Sequence, residues 1–187
     1  MSGSLQRAFG LWIADQVAGL HVCADDLANK KKTYPVCTVT ELTHSLNWLG
    51  TGRRDIVTRD EETGYVETSG KMAREERVIR LLVQAPSPKT ANGQPVVDTI
   101  LSSIEQAIKQ TSMAWDQIQI VDSEVDPAEV FYLDRMMSEG RAAVAPDVSG
   151  EPFLFRGALS VKIARTIALE KPVDGVIERI HLEENGG

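Results

Sequence analysis

Cysteine is nearly absent from this 187-residue chain. Cys23 and Cys37 are the only two, too few for a disulfide framework and expected to stay reduced in a cytoplasm. No apolar run is long enough to cross a bilayer and no signal-peptide pattern opens the chain, so a soluble, non-secreted protein is expected. Basic residues are outnumbered, 20 Lys plus Arg against 27 Asp plus Glu, giving a net charge of −7. A surface built to neutralise phosphates needs the opposite balance, so nucleic acid is not expected as a tightly held ligand. The three histidines, His21, His44 and His181, lie far apart, which leaves few general bases near neutral pH. A P-loop, the fingerprint G-x-G-x-x-G, the elbow G-x-S-x-G and the helix H-E-x-x-H are all missing. An enzyme of familiar class is therefore disfavoured, and no catalytic residue, metal or cofactor is assigned.

Two groups of residues admit a metal reading and a plainer one. His21, Cys23, Cys37 and His44 have neither the two-residue gap of a zinc knuckle nor a shared face, since Cys37 and His44 fall on opposite parities of one strand-like stretch. Ordinary packing is expected for them. Asp122, Glu124, Asp126 and Glu129 are closely spaced but lack the glycine at the sixth position and the terminal glutamate of a calcium loop. The plainer reading makes them the acidic first turn of a helix. The alternative is a small metal-dependent hydrolase or nuclease acting through the carboxylates of 122–129.

What is present is a globular pattern, with 42% hydrophobic and 25% charged residues, so wholesale disorder is not expected. The strongest periodic signal is Phe153 to Leu169. Phe153, Phe155, Leu159, Val161, Ile163, Ile167 and Leu169 share one parity, interrupted by Gly157 and Arg165. A period of two over this length predicts a long, central strand. Leu5 to Leu20 carries Leu5, Phe9, Trp12, Ile13, Val17 and Leu20 at helical spacing, with Ser4 as N-cap. Tyr34 to Trp48 reads as a strand, preceded by a solvated loop at Lys30, Lys31 and Lys32.

Residues 50–77, rich in Gly, Thr and charges of both signs, predict a long β-hairpin arm or loop holding a short strand at Tyr65 to Thr68. Arg77 to Ala85 predicts an interior strand covered on both faces. Pro95 to Gln110 predicts an amphipathic helix with Val97, Ile100, Leu101, Ile104 and Ile108 on its buried stripe. Between 112 and 150 the pattern weakens. It gives a short strand around Ile118 and Ile120, a short helix at Ala128 to Met137, and a loop from Gly140 to Gly150. Val173 to Leu182 reads as a last strand or short helix. The fold class expected is α+β: a mainly antiparallel sheet with an N-terminal helix and a second amphipathic helix packed on it. One domain, 1–187, carries the arm at 50–77 and an excursion at 112–150; at this length a domain buries roughly 70% of its unfolded surface.

From YPVCTVTEL through ERVIRLLVQAPSP to QPVVDTILSSIEQAIK the chain resembles the tail-terminator, or tail-completion, proteins of tailed bacteriophages. The resemblance covers about Leu5 to Gln110 and the strand at 153–169, is one of element order and texture, and departs from the family at 112–150. It implies a virion structural protein that forms a homo-hexameric ring, terminates the tail tube and joins the tail to the head. The implied partners are the tail tube protein and the head-tail connector, with the sheath protein a further candidate and DNA passing without being held. The implied location is the tail or neck of the virion, assembled in the host cytoplasm without a membrane. A neighbouring neck or baseplate ring protein would look similar. For subunit contact the arm supplies Arg53, Arg54, Arg59, Asp60 and Glu61, whose mixed charges suit a crossing to the next subunit. An adaptor that adds its sheet edge to a partner is a reading of a third class.

Overall fold

The computed structural model describes residues 3–23, 33–49, 56–59, 66–87, 92–113, 117–150 and 152–172. The elements run α1 (Gly3–Gln16), β1 (His21–Cys23), β2 (Val36–Trp48), β3 (Ile56–Arg59), β4 (Val66–Ser87), α2 (Gln94–Met113), β5 (Ile118–Asp122), β6 (Glu129–Leu133), β7 (Arg135–Asp147) and β8 (Phe153–Pro172). The main sheet has the order β1-β2-β4-β8-β7 with β3 paired to β4, while β5 and β6 form a separate two-stranded sheet. The pairs β3/β4, β5/β6 and β7/β8 are antiparallel and β1/β2 is parallel. The fold is α+β with a mainly antiparallel sheet, as the pattern predicts. Two compact units divide the chain: Met1–Ser45 with Glu75–Arg165, and Leu46–Arg74 with Thr166–Gly187.

In the first unit, one face of the sheet carries the core. Leu5, Phe9 and Ile13 recur every four residues on α1 and are buried, one stripe of a helix. The helix begins at Gly3, ahead of the expected cap Ser4, and ends at Gln16. Gly19 follows at φ 76°, the left-handed conformation that glycine enters without steric cost. Helix α2 starts where Gly93 O accepts from the amide of Val96 and Asn92 Oδ1 from that of Gln94, which satisfies first-turn donors. Its buried residues are Val97, Ile100, Leu101, Ile104 and Ile108, the predicted stripe.

Strand β8 is interior, between β4 and β7, and Leu159, Val161 and Ile163 on its apolar parity are buried. A Cβ at Gly157 would lie 2.8 Å from both Leu101 Cδ1 and Val97 Cγ1, so the missing side chain is what lets α2 seat on β8. Gly157→Val is expected to cost about 1–3 kcal/mol through overpacking, read as a lower urea midpoint at unchanged slope.

Three expectations are corrected. Strand β4 is interior, between β2 and β8, but its second face is only partly covered: Ile79, Leu81, Val83 and Ala85 are buried on one face, whereas on the other Gln84 is buried, Val78 and Leu82 are half-buried and Arg80 is exposed. Leucines on both parities therefore mark a strand with one partly wet apolar face. The helix expected at 128–137 is strand: β6 alternates exposed Val130 and Tyr132 with buried Phe131 and Leu133, a period of two that outweighs the helix-start signal at Pro127. Of the loop expected at 140–150, residues 140–147 are the second half of β7, whose polar, alanine-rich sequence is held by its ladder to β8 rather than by propensity, and 148–150 follow it outside any strand. Gly140, at φ 134°, sits where the β7 register shifts between Ser138 and Gly140, a bulge.

In the second unit, β3 pairs with the start of β4 from Ile56↔Gly70 to Arg59↔Val66. This is the hairpin expected within 50–77. Its returning strand is the beginning of a 22-residue β4 rather than a short strand of its own. The stretches at 30–32 and 173–182 lie outside the described residues.

Candidate functional site

The apolar stripe of β4 ends in charge. Continuing the parity of Ile79 and Leu81 downward gives Arg77 and Glu75, and both are buried, Glu75 at 4% exposure. Arg77 donates to Glu75 Oε1 from Nε at 3.1 Å and from Nη2 at 2.6 Å, and its Nη1 donates to Glu41 Oε2 of β2 at 2.8 Å. Arg165 of β8 donates from Nε to the other Glu75 oxygen, and its guanidinium lies 5.2 Å from the centroid of the Phe131 ring on β6, within cation–π range. His44 Nε2 is 2.8 Å from Glu75 Oε1. Three strands of the sheet thus contribute to one buried network whose two carboxylates face two guanidiniums.

Burial acts on the Glu75 carboxyl by pushing its pKa up, but the hydrogen bonds and charges of Arg165 and Arg77 outweigh it and hold the group below the usual carboxylate range. The arrangement is paired and neutral rather than poised. A general acid or base needs a pKa moved toward neutrality, and Glu75 is moved away from it.

A second buried carboxylate lies under α1. Asp122, at the end of β5, has 0% exposure and accepts from Arg7 Nε at 2.9 and 2.8 Å and from Arg7 Nη2 at 2.7 Å. The hydrogen bond from Arg7 lowers its pKa against the opposing effect of burial, assisted by the Glu124 amide. This corrects the expectation of an acidic helix turn at 122–129, because the segment is the β5–β6 hairpin. Among the described residues no group of three or more His, Cys, Asp or Glu is placed to hold a metal ion. Cys37 is buried, with its thiol pushed up to about 12 by burial and by the charge of Cys23. Cys23 Sγ faces Cys37 O and Thr38 Oγ1, while His44 is engaged by Glu75.

Among the described residues both sides of the sheet in the first unit end in strand edges without a full partner. Strand β1, as described, pairs with β2 from Val36 to Thr38. Beyond it, the outer edge of β2 from Val39 to Ser45 has no strand partner among the described residues, and from Leu42 onward its side chains are exposed. At the other side β7 pairs, among the described residues, with β8 alone. Unpaired edges offer rows of backbone donors and acceptors to another chain unless charge, proline or a bulge blunts them. β7 has bulges and Pro146; Val39 to Ser45 contains neither proline nor lysine.

Of the contact residues expected in the arm, Arg53, Arg54, Asp60 and Glu61 lie outside the described residues, and Arg59 ends β3 with its backbone alone described. The paired residues Glu75, Arg77, Glu41 and Arg7 were not singled out from the sequence. Arg165 interrupts the apolar parity of β8, a signal the sequence carries, whereas only the structure shows that Glu75 and Arg77 extend the buried register of β4. No helix of the described residues is long and apolar enough to cross a membrane. The chain matches no protein-family model and no curated protein.

Proposed function

We propose that this chain is a virion structural protein that assembles as a hexameric ring at the end of a phage tail tube and joins the tail to the head. The observation that carries the reading is that, among the described residues, no strand lies beside β2 from Val39 to Ser45 and none lies beyond β7. A subunit with two different open edges can join head to tail, the heterologous contact that closes into a ring when the rotation permits. The long strands and the β3–β4 hairpin suit an assembly protein, whose work is done by surfaces. The buried charges are consistent with this, because each is spent on a partner inside the fold.

The test is native mass across a protein concentration series with negative-stain images of the same samples. Closed six-membered rings are the expected result, and a monomer throughout, with and without tail tube added, sinks the reading. Leu42, half exposed on the open edge of β2, supplies the variant. Leu42→Lys puts a charge on that edge and is expected to abolish rings while leaving the far-UV spectrum unchanged. Arg53→Glu combined with Arg54→Glu tests the arm separately, and undiminished assembly by that variant would exclude it from the contact.

A further inference from the structure

The β5–β6 hairpin presents a face that neither the fold nor an edge-joined ring uses. Its inner face goes to the core, with Ile118, Ile120, Phe131 and Leu133 buried. Its outer face is apolar in the middle: Val121, Val130 and Tyr132 are 41%, 41% and 47% exposed. Val121 stands directly opposite Val130, and Tyr132 is the next outward residue on the same strand, so the three form one stripe. Single exposed apolar side chains are unremarkable, whereas a contiguous stripe on a two-stranded ribbon marks a contact surface.

The exposed charge of the hairpin itself is acidic. Glu124, Asp126, Glu129 and Asp134 are exposed, Asp122 is buried on the inner face, and from 117 to 134 the chain carries neither lysine nor arginine. Arg7 answers the buried Asp122 and lies 3.7 Å from Glu124. Among the described residues β5 and β6 pair only with each other, so the ribbon also has edges that can accept an added strand. We propose that the outer face of the β5–β6 hairpin docks a basic segment of a different protein, with apolar residues seated on Val121, Val130 and Tyr132 and Lys or Arg facing the carboxylates around them. A second copy of this chain is the wrong occupant, because a twofold contact would set this acidic face against itself, and like-charge juxtaposition is strongly unfavourable.

The experiment is fluorescence anisotropy of the full chain with three labelled ten-residue peptides: alternating Lys and Val, alternating Lys and Ser, and alternating Glu and Val. The Lys-Val peptide is expected to bind, to protect 117–134 from hydrogen exchange, and to lose affinity with added salt. Val130→Ser combined with Tyr132→Ser is expected to weaken it by about tenfold or more, as truncating two seated anchors does. Glu124→Gln combined with Glu129→Gln, which leaves the apolar stripe intact, is expected to weaken it by a similar factor and to remove most of the salt dependence.

The proposal is overturned if the Lys-Val peptide fails to bind, if the Lys-Ser or Glu-Val peptide binds equally well, or if exchange protection falls elsewhere. Two further results overturn it. One is a serine variant, folded by its spectrum, that changes the oligomeric state, which would make the face a self-contact. The other is tighter peptide binding after Lys30, Lys31 and Lys32 are replaced by Gln, which would make the chain's own basic run the occupant.

Discussion

Glu75→Ala is expected to lower the unfolding free energy by about 3–5 kcal/mol, the loss typical of removing one partner from a buried ion pair. The substitution leaves Arg77 and Arg165, both largely buried, without the carboxylate between them. Arg77 retains Glu41 at 2.8 Å and Arg165 retains the Phe131 ring, which keeps the loss at the lower end of that range. Removing charge from both sides should be milder. Glu75→Leu combined with Arg165→Leu is expected to cost less than the sum of the two single changes, with a coupling of about 1–3 kcal/mol, because no orphaned ion remains. Urea titration of the four proteins measures this directly, and additive losses would show that Glu75 and Arg165 do not stabilise one another.

The same residue predicts a pH dependence of defined sign. The folded pKa of Glu75 lies below its ordinary value, so the folded state binds fewer protons than the unfolded chain in the window between the two. Its contribution is complete above the unfolded value, about 4.3, and is lost as the pH falls through the folded one. Asp122 is depressed in the same direction and adds to the loss. Stability should therefore fall steeply below about pH 4 in the native protein and less steeply in Glu75→Gln. Equal slopes would remove Glu75 from the acid transition.

Phe9→Ala is expected to cost about 3–5 kcal/mol, the range for deleting a buried phenylalanine. Phe9 has no exposed surface and stacks on Trp12 with ring centroids 5.8 Å apart and planes 9° from parallel. The cavity would open where α1 meets the core, and the rigid sheet on the other side limits collapse into it. Phe9→Leu should recover more than half of the loss. Tryptophan fluorescence is a weak reporter, since the chain has three tryptophans, so the melting temperature by circular dichroism is the better measure. A loss below about 1 kcal/mol, the usual result for a surface site or slightly more, would show that α1 does not hold the core.

Local pattern determined much of this protein. The parity of Leu159, Val161 and Ile163, the four-residue recurrence of Leu5, Phe9 and Ile13, and the stripe from Val97 to Ile108 each fixed an element. In each case the buried side chains follow the period of the backbone they sit on. The α+β class follows from those elements, since none can bury its apolar face alone. Arg165 is visible in the sequence as a charge interrupting the apolar parity of β8, whereas the place of Glu75 and Arg77 on the buried face of β4, and the pairing of all three, is not. Glu75 and Arg165 are 90 residues apart, and only the register of β4 beside β8 brings them together. The helix expected at 128–137 followed the start signal at Pro127 over the alternation of Val130 to Leu133, and 140–147 reads as loop because β7 is held by hydrogen bonds to β8, a stabilisation that leaves little trace in composition. Tertiary structure likewise decided that Asp122 is a buried partner for Arg7 in a hairpin rather than part of a helix's first turn, and that among the described residues the sheet is left with unpaired edges at β2 and β7. An edge is defined by the strand that is not beside it, and sequence period reports only the faces.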